Sequence, residues 1–260
     1  MHVGISMILK NGEKFGYPWR YALASVLPVA SGIWVGVDPG EDDTLDQVTA
    51  WGKSVSVPVH VIPQRWTMWR DPVLPARMLA GATNDINQYV QAPWTLYIQA
   101  DEIWSDQGIA SIQALPPVNP YWGYLSPFIH LRPDFDHEQR NPGYTAAIRL
   151  IRTGYAHSGH DAWSFSPMRL QAPEAPPLLA GSIFHVGYIE QPAVVKARMH
   201  HHATELYPNL AEYQASDAKA QTWDGSIETY WDAVIPFDYR EPYPLALVEW
   251  RDLLEKQVAR

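Results

Sequence analysis

The sequence predicts an α/β protein: a mostly parallel central sheet flanked by helices, with a helical C-terminal extension. Three observations predict it. Short apolar, partly β-branched runs at 3–9, 33–37, 57–62 and 95–100 alternate with segments of helical periodicity at 17–27, 44–52 and 72–90, the order of strand–helix–strand units. With 47% hydrophobic side chains in 260 residues, the chain can cover a sheet on both faces. Finally, the apolar runs stop abruptly at Asn11, Asp38 and Asp101, and the carboxyl ends of strands are where such sheets gather ligands.

Residues 3–9 read as a buried strand delivering the polar loop Lys10-Asn-Gly-Glu-Lys14. The next segment, 17–27, carries Tyr21, Leu23, Ala24 and Leu27 at helical spacing, with Pro18 tolerable in the first turn and Pro28 at the end. A second strand, 33–37, ends in Asp38-Pro-Gly-Glu-Asp-Asp43 ahead of a helix over 44–52, and 57–62 is a third strand. A long helix is expected over 72–90, its apolar face made by Val73, Leu74, Met78, Leu79, Ala82 and Ile86, with Arg77, Asn84 and Asp85 off that face or at its edge. The strand 95–100 follows and ends in Asp101 and Glu102.

Beyond it, 106–115 reads as a helix, 121–131 as an aromatic strand and 132–144 as a polar loop long enough to be a lid. Residues 146–151 resume β character, 155–165 form a loop or irregular strand, and 173–177 break regular structure. The run 178–186 is a strand ending in His185, and helices are expected over 191–206, 210–222 and 245–258. One domain over 1–206 with an extension over 207–260 is the organisation these elements suggest.

Composition excludes several classes. Nineteen basic against 28 acidic side chains leave a net charge of -9, which disfavours a general polyanion binder. With no cysteine, disulfides and thiolate metal sites are excluded, and any metal must sit on oxygen or imidazole ligands. No run approaches the roughly 20 apolar residues of a membrane span, and no leader pattern opens the chain, so a soluble, unexported, cytoplasmic protein is expected. Twelve Trp and 14 Tyr suit stacking on sugars or bases and equally suit a Trp-rich core.

Each candidate site has two readings. Adjacent carboxylates at a strand end, Asp101 and Glu102, hold a divalent cation or cap the next helix. Residues 38–43 are a ligand-binding turn or a solvated cap. His185 on an apolar strand is a ligand or a satisfied core histidine. The run His200-His-His202 cannot bind one metal from regular helix, because consecutive side chains diverge. Trp66 and Trp69 with Arg65 and Arg70 stack on a base and grip phosphate, or pack under a loop. The same choice applies to Trp163 and Phe165 as an acceptor platform.

Taken together, Met7-Ile-Leu-Lys-Asn-Gly-Glu13, Val35-Gly-Val-Asp-Pro-Gly-Glu-Asp-Asp-Thr44 and Ile98-Gln-Ala-Asp-Glu102 resemble, in order and spacing, the family 2-type glycosyltransferases of the GT-A (Rossmann-like) fold. The resemblance covers about the first 105 residues, so 1–105 would be the nucleotide-sugar-binding half and 106–206 the acceptor half. It implies transfer of a hexosyl or pentosyl group, with inversion, from a nucleotide-diphospho-sugar donor to a hydroxyl acceptor. That acceptor would be a glycan, a lipid-linked sugar or a hydroxymethylated base in phage DNA. By the same resemblance Asn11, Asp38 and Arg77 contact the nucleotide and Asp101 binds Mn²⁺ or Mg²⁺. The segment Ile183-Phe-His-Val-Gly-Tyr188 resembles a His-x-Gly-Tyr motif of the family, making His185 a second metal ligand and Lys196 a phosphate contact. Asp161 is the candidate general base by its position along the chain. Two departures stand out: Gln99 replaces a frequent first Asp, and the turn after Asp38 is one residue short. A nucleotidyltransferase on a similar fold, or a non-catalytic nucleotide- or glycan-binding domain, are the alternatives.

Overall fold

Strand β1 (Val3–Lys10) is buried along its length except at Lys10, and its side chains divide by parity. Val3, Ile5, Met7 and Leu9 enter one core, whereas Ile8 enters a second on the opposite face. That two-residue period is how a strand with both faces covered must distribute an unbroken apolar run. The computed structural model describes residues 2–118, 120–168, 175–230, 232–237 and 243–258.

Chain order then runs through α1 (Trp19–Val26), β2 (Ala30–Asp38), α2 (Thr44–Gly52), β3 (Val59–Pro63), α3 (Arg77–Asn87) and β4 (Trp94–Tyr97). After these come β5 (Glu102–Trp104), α4 (Asp106–Gln113), β6 (Gly123–His130), β7 (His137–Gln139) and β8 (Ala146–Arg152). The remaining elements are β9 (Ala156–Ser158), β10 (Phe165–Pro167), β11 (Ile183–His185), α5 (Pro192–His201), α6 (Ala211–Thr222), β12 (Val234–Pro236) and α7 (Leu245–Val258).

Eight strands form one sheet in the order β3-β2-β1-β4-β8-β6-β11-β5. The first four are mutually parallel. Strand β8 is antiparallel to both β4 and β6, β6 and β11 are parallel, and β5 closes the edge antiparallel to β11. All strands but β8 and β5 therefore point the same way, and their carboxyl ends open on one side of the molecule. The α/β class and the order of elements are as expected from sequence.

Boundaries differ where local chemistry intervenes. The helix expected from 72 begins at Arg77, because Asp71 Oδ1 accepts the amides of Val73 and Leu74 in a turn and Pro75 follows. Strand 178–186 shrinks to β11, since Gly181 at φ +77° interrupts it. The loop expected over 132–144 contains β7, which pairs with β12. The 207–260 segment is more than a helical appendage. Ala246, Leu247, Trp250 and Leu254 of α7 share a core with Ile103, Leu131, Phe184 and Val186. Of the breaker at 173–177, residues 173 and 174 lie outside the described residues. No described helix is long and apolar enough to cross a membrane.

Candidate active site

The carboxyl ends of β1, β4, β6 and β11 open into a cleft of about 610 Å³ lined by Lys10, Gln99, Asp101, His130 and His185, among others. Its far wall comes from the β9–β10 tip, which carries Asp161 and Trp163, and from Tyr207 and Tyr213 of the C-terminal segment.

Register brings the first group together. β6 and β11 are parallel with His130 opposite His185, and β5 places Glu102 opposite His185. Backbone bonds from Leu131 N to His185 O (3.0 Å) and from Val186 N to Asp101 O (2.9 Å) fasten the three ends side by side. Asp101 Oδ2 then lies 3.5 Å from His185 Nε2. Burial by itself would raise the Asp101 carboxyl, but the facing His185, aided by Arg198, overrides it and holds the group at about 2. A Cβ on Gly187 would meet Asp101 Oδ2 at 2.5 Å and His185 Nε2 at 3.4 Å, so glycine keeps open the space beside both atoms.

That pair fits a divalent cation. One ion bonded to both at about 2.0–2.2 Å needs its two donor atoms no more than about 4.3 Å apart, and these meet that limit. Among the described residues no group of three His, Asp or Glu gathers around one point, so further ligands would come from a substrate's oxygens and water, as is usual for Mg²⁺.

Glu102 is not on this site. Its carboxylate is fully buried against Arg149, with Nη2–Oε1 at 2.6 Å and Nε–Oε2 at 3.0 Å, and it also accepts Gln99 N at 3.1 Å. Arg149 Nη1 donates to Trp163 O at 2.5 Å, and Gln99 Nε2 donates to Ala162 O at 3.3 Å. Gln99 and Glu102 thus tie the Asp101 turn to the tip that carries Asp161. An aspartate at position 99 has no N–H to make that second contact.

The tip itself is pinned at its base: Asn84 exchanges two hydrogen bonds with the Ser158 backbone, and Ser164 Oγ accepts Ile148 N. Within it, His160 (φ +52°) and Ala162 (φ +67°) flank Asp161 in the left-handed region. Such backbone is unfavourable for residues with a Cβ and persists only where surroundings impose it. The consequence is an aspartate presented to the cleft. Tyr207 Oη donates to Asp161 Oδ2 at 2.5 Å, and Tyr207 stacks on Tyr213 at 3.9 Å. Burial and the adjacent Asp161 push the Tyr207 phenol far above its ordinary range, which keeps it a donor. Asp161 Oδ1 is buried and has no partner among the described residues.

The other sequence-derived candidates lie elsewhere. Asn11, at φ +52°, accepts Glu41 N at 2.7 Å and so latches the loop after β1 to the turn after β2. Gly40 is required there, because a Cβ would lie 2.1 Å from Asn11 Oδ1. Asp38 accepts Trp66 N at 2.8 Å and Gly40 N at 3.2 Å, with Lys10 Nζ at 3.6 Å. It stands behind the cleft wall, and Lys10 is the residue that reaches the cleft. Arg77 is exposed and pairs with Asp71 at 2.9 Å. On α5, the Lys196 backbone carbonyl accepts Gln221 Nε2 of α6. Neither lines the cleft; the inward basic residue of α5 is Arg198, fully buried over the Tyr17 ring with its centre 4.4 Å from the centroid.

Of the aromatic candidates, Trp66 and Trp163 line the cleft together with Arg70. Trp69 packs on Gly81 and Phe165 is buried against Tyr97. The histidine run splits: His200 pairs with Asp217 at 3.0 Å, while His201 stacks on Phe15 and His202 lies 3.5 Å from Tyr17 Oη. A π-helical turn at His202–Leu206 ends α5 and turns His202 inward. Sequence reading missed His130 and Tyr207. His130 ends a strand parallel to β11, so the strand-end rule that found Asp101 also reaches it once the direction of β6 is known. No local signal marks Tyr207, whose partner is 46 positions away.

No family model and no curated protein matches the chain. Solved structures similar to it include the 1–349 fragment of S. aureus TarS in complex with UDP, at 12% identity and TM-score 0.47, covering 85% of this chain and 69% of that one. The chain spans 42% of the longer TarS structure. Glucosyl-3-phosphoglycerate synthase from Mycobacterium tuberculosis, with Mn²⁺, UDP and phosphoglyceric acid, is 14% identical over 50% of this chain and 44% of that one, at TM-score 0.36. An inositol-1-phosphate CTP transferase from T. maritima is 12% identical over 59% and 69%, at TM-score 0.37. At these identities and scores none of the likenesses carries a function to this chain.

Proposed function

We propose that the chain is a GT-A-type glycosyltransferase that moves a sugar from a nucleotide-diphosphate donor to a hydroxyl acceptor with inversion. The observation that carries this reading is one cleft presenting two unlike devices: the open Asp101–His185 pair beside Gly187, and the Asp161 carboxylate held by Tyr207. A cation held by Asp101 and His185, Mn²⁺ or Mg²⁺, would neutralise charge developing on the departing diphosphate.

The chain's own residues do the rest. The Asp161 carboxylate takes the proton of the acceptor hydroxyl as that oxygen attacks the anomeric carbon and the bond to the diphosphate breaks. Tyr207 donates to Asp161 Oδ2, so the carboxylate keeps a fixed direction. Lys10, with Arg70, supplies positive charge on the donor side, and Asp38 acts on the nucleotide through Lys10 and the Trp66 loop. Asn11 shapes that end of the site as a latch. Trp163, 39% exposed, and the Tyr207–Tyr213 stack offer flat faces to an acceptor sugar of a glycan or lipid-linked sugar.

Product analysis tests this. Incubation with nucleotide sugars, Mn²⁺ and candidate acceptors should release nucleoside diphosphate and a glycosylated acceptor. Release of pyrophosphate would instead identify a nucleotidyltransferase. Donor binding with no turnover under any acceptor would identify a binding domain.

A further inference from the structure

We propose that Tyr144 is a specificity-determining residue: its hydroxyl holds a hydroxyl of the transferred sugar in the gap between the Asp101–His185 pair and Asp161. This rests on the glycosyltransferase reading of the cleft.

Transfer with inversion fixes where the sugar must lie. The departing diphosphate oxygen is on the Asp101–His185 side and the attacking hydroxyl is on the Asp161 side, so the anomeric carbon and its ring occupy the space between them. Tyr144 walls that space. It lines the cleft, half-buried, near the end of the loop that leads from β7 into β8. On one side its ring packs edge-on to His130 at 4.8 Å, and His130 in turn lies edge-on to His185 at 5.0 Å. On the other side the ring meets Trp163 at 5.6 Å, close in the chain to Asp161.

The ring is fixed and its hydroxyl is not engaged. Phe128 packs edge-on at 5.2 Å and, with His130 and Trp163, sets the plane of the ring. The hydroxyl makes no hydrogen bond with a described residue. Burial pushes the phenol well above its ordinary range, and Asp101 and Asp161 add to that push. Tyr144 therefore keeps its proton and is no rival to Asp161 as a base. A phenol both donates and accepts, as a sugar hydroxyl does, and a site built to bond a hydroxyl discriminates against the analogue that lacks it.

Isothermal titration in the presence of Mn²⁺ tests this on the unmodified protein and on Tyr144→Phe, which deletes the hydroxyl and keeps the ring packing. The probes are UDP-glucose, UDP-N-acetylglucosamine and GDP-mannose, each beside its free nucleoside diphosphate. Tyr144→Phe should weaken the best-bound nucleotide sugar about 10-fold and leave the corresponding diphosphate unchanged. Monodeoxy analogues of that sugar then locate the contact. One of them should bind the unmodified protein about 10-fold more weakly than the parent, and Tyr144→Phe should not distinguish the two. Equal loss for nucleotide sugar and diphosphate, no loss for either, or a further loss in Tyr144→Phe with every analogue overturns the proposal and leaves the glycosyltransferase reading standing. Binding of no nucleotide by the unmodified protein overturns that reading and the proposal with it.

Discussion

Replacing Arg149 by Met should show how much of the site's integrity one buried ion pair supplies. Both side chains of the Arg149–Glu102 pair are fully buried, so the substitution leaves a carboxylate without its countercharge, its remaining partner being Gln99 N. Removing one member of such a pair costs about 3–5 kcal/mol. Unfolding entropy for a chain of 260 residues is about 0.5 kcal/mol/K, so Tm should fall by about 6–10 °C. The double variant Glu102→Leu with Arg149→Met removes both charges and should recover at least half of that loss, because well-packed apolar replacements of buried pairs are often neutral. Activity should not return with stability. The double variant still lacks the bond from Arg149 to Trp163 O and the one from Gln99 N to Glu102, which hold the Asp161 tip to the Asp101 turn. Thermal and urea unfolding of the four-member cycle, with transferase rates for each, measures both. A single variant losing less than about 1 kcal/mol, or a double variant no more stable than the single, would refute the reasoning.

Three further outcomes are expected. Asp161→Asn should lower transfer about 10²- to 10⁴-fold while nucleotide titration shows donor affinity unchanged. Tyr207→Phe deletes only the hydroxyl that orients Asp161, and should lower kcat about 10-fold, on the scale of one charge-assisted hydrogen bond, with little change in donor KM. Burial pushes His202 down to about 3. The unfolded chain therefore takes up this proton near pH 6.5 while the folded protein does not. Stability should fall by about 1.4 kcal/mol per pH unit from this residue as pH drops from about 6 toward 3. Urea unfolding at pH 7 and pH 5 should show a smaller loss in His202→Gln, and equal losses would exclude a buried neutral imidazole.

The first hundred residues were legible because their signals are local. Short apolar runs mark β1, β2 and β4, and acidic or amide residues mark the strand ends. Asp101, His185 and Asp161 line one cleft, His185 at a strand end, Asp101 in the turn between β4 and β5 and Asp161 at a hairpin tip. Arg77 and Lys196, expected at the nucleotide, do not line the cleft; a sequence places a basic side chain on a helix but does not give its azimuth. On α5 it is Arg198, two positions along, that turns inward. Asn11 and Asp38 were found by position, yet their oxygens serve the loops around them. His130 depends on strand direction, and Tyr207 on a contact between segments that no periodicity relates. The second carboxylate, Glu102, looked equivalent to its neighbour until Arg149 was seen to occupy it.

The most direct test of the central claim is a thermal-shift titration of nucleotide sugars and nucleoside diphosphates, with and without Mn²⁺, on the unmodified protein and on Asp101→Ala. A ligand that binds only the folded state raises Tm by mass action. The account predicts a nucleotide-dependent rise that is larger with Mn²⁺, and loss of the Mn²⁺ increment in Asp101→Ala. No shift with any nucleotide, or the same Mn²⁺ increment in the variant, would contradict it.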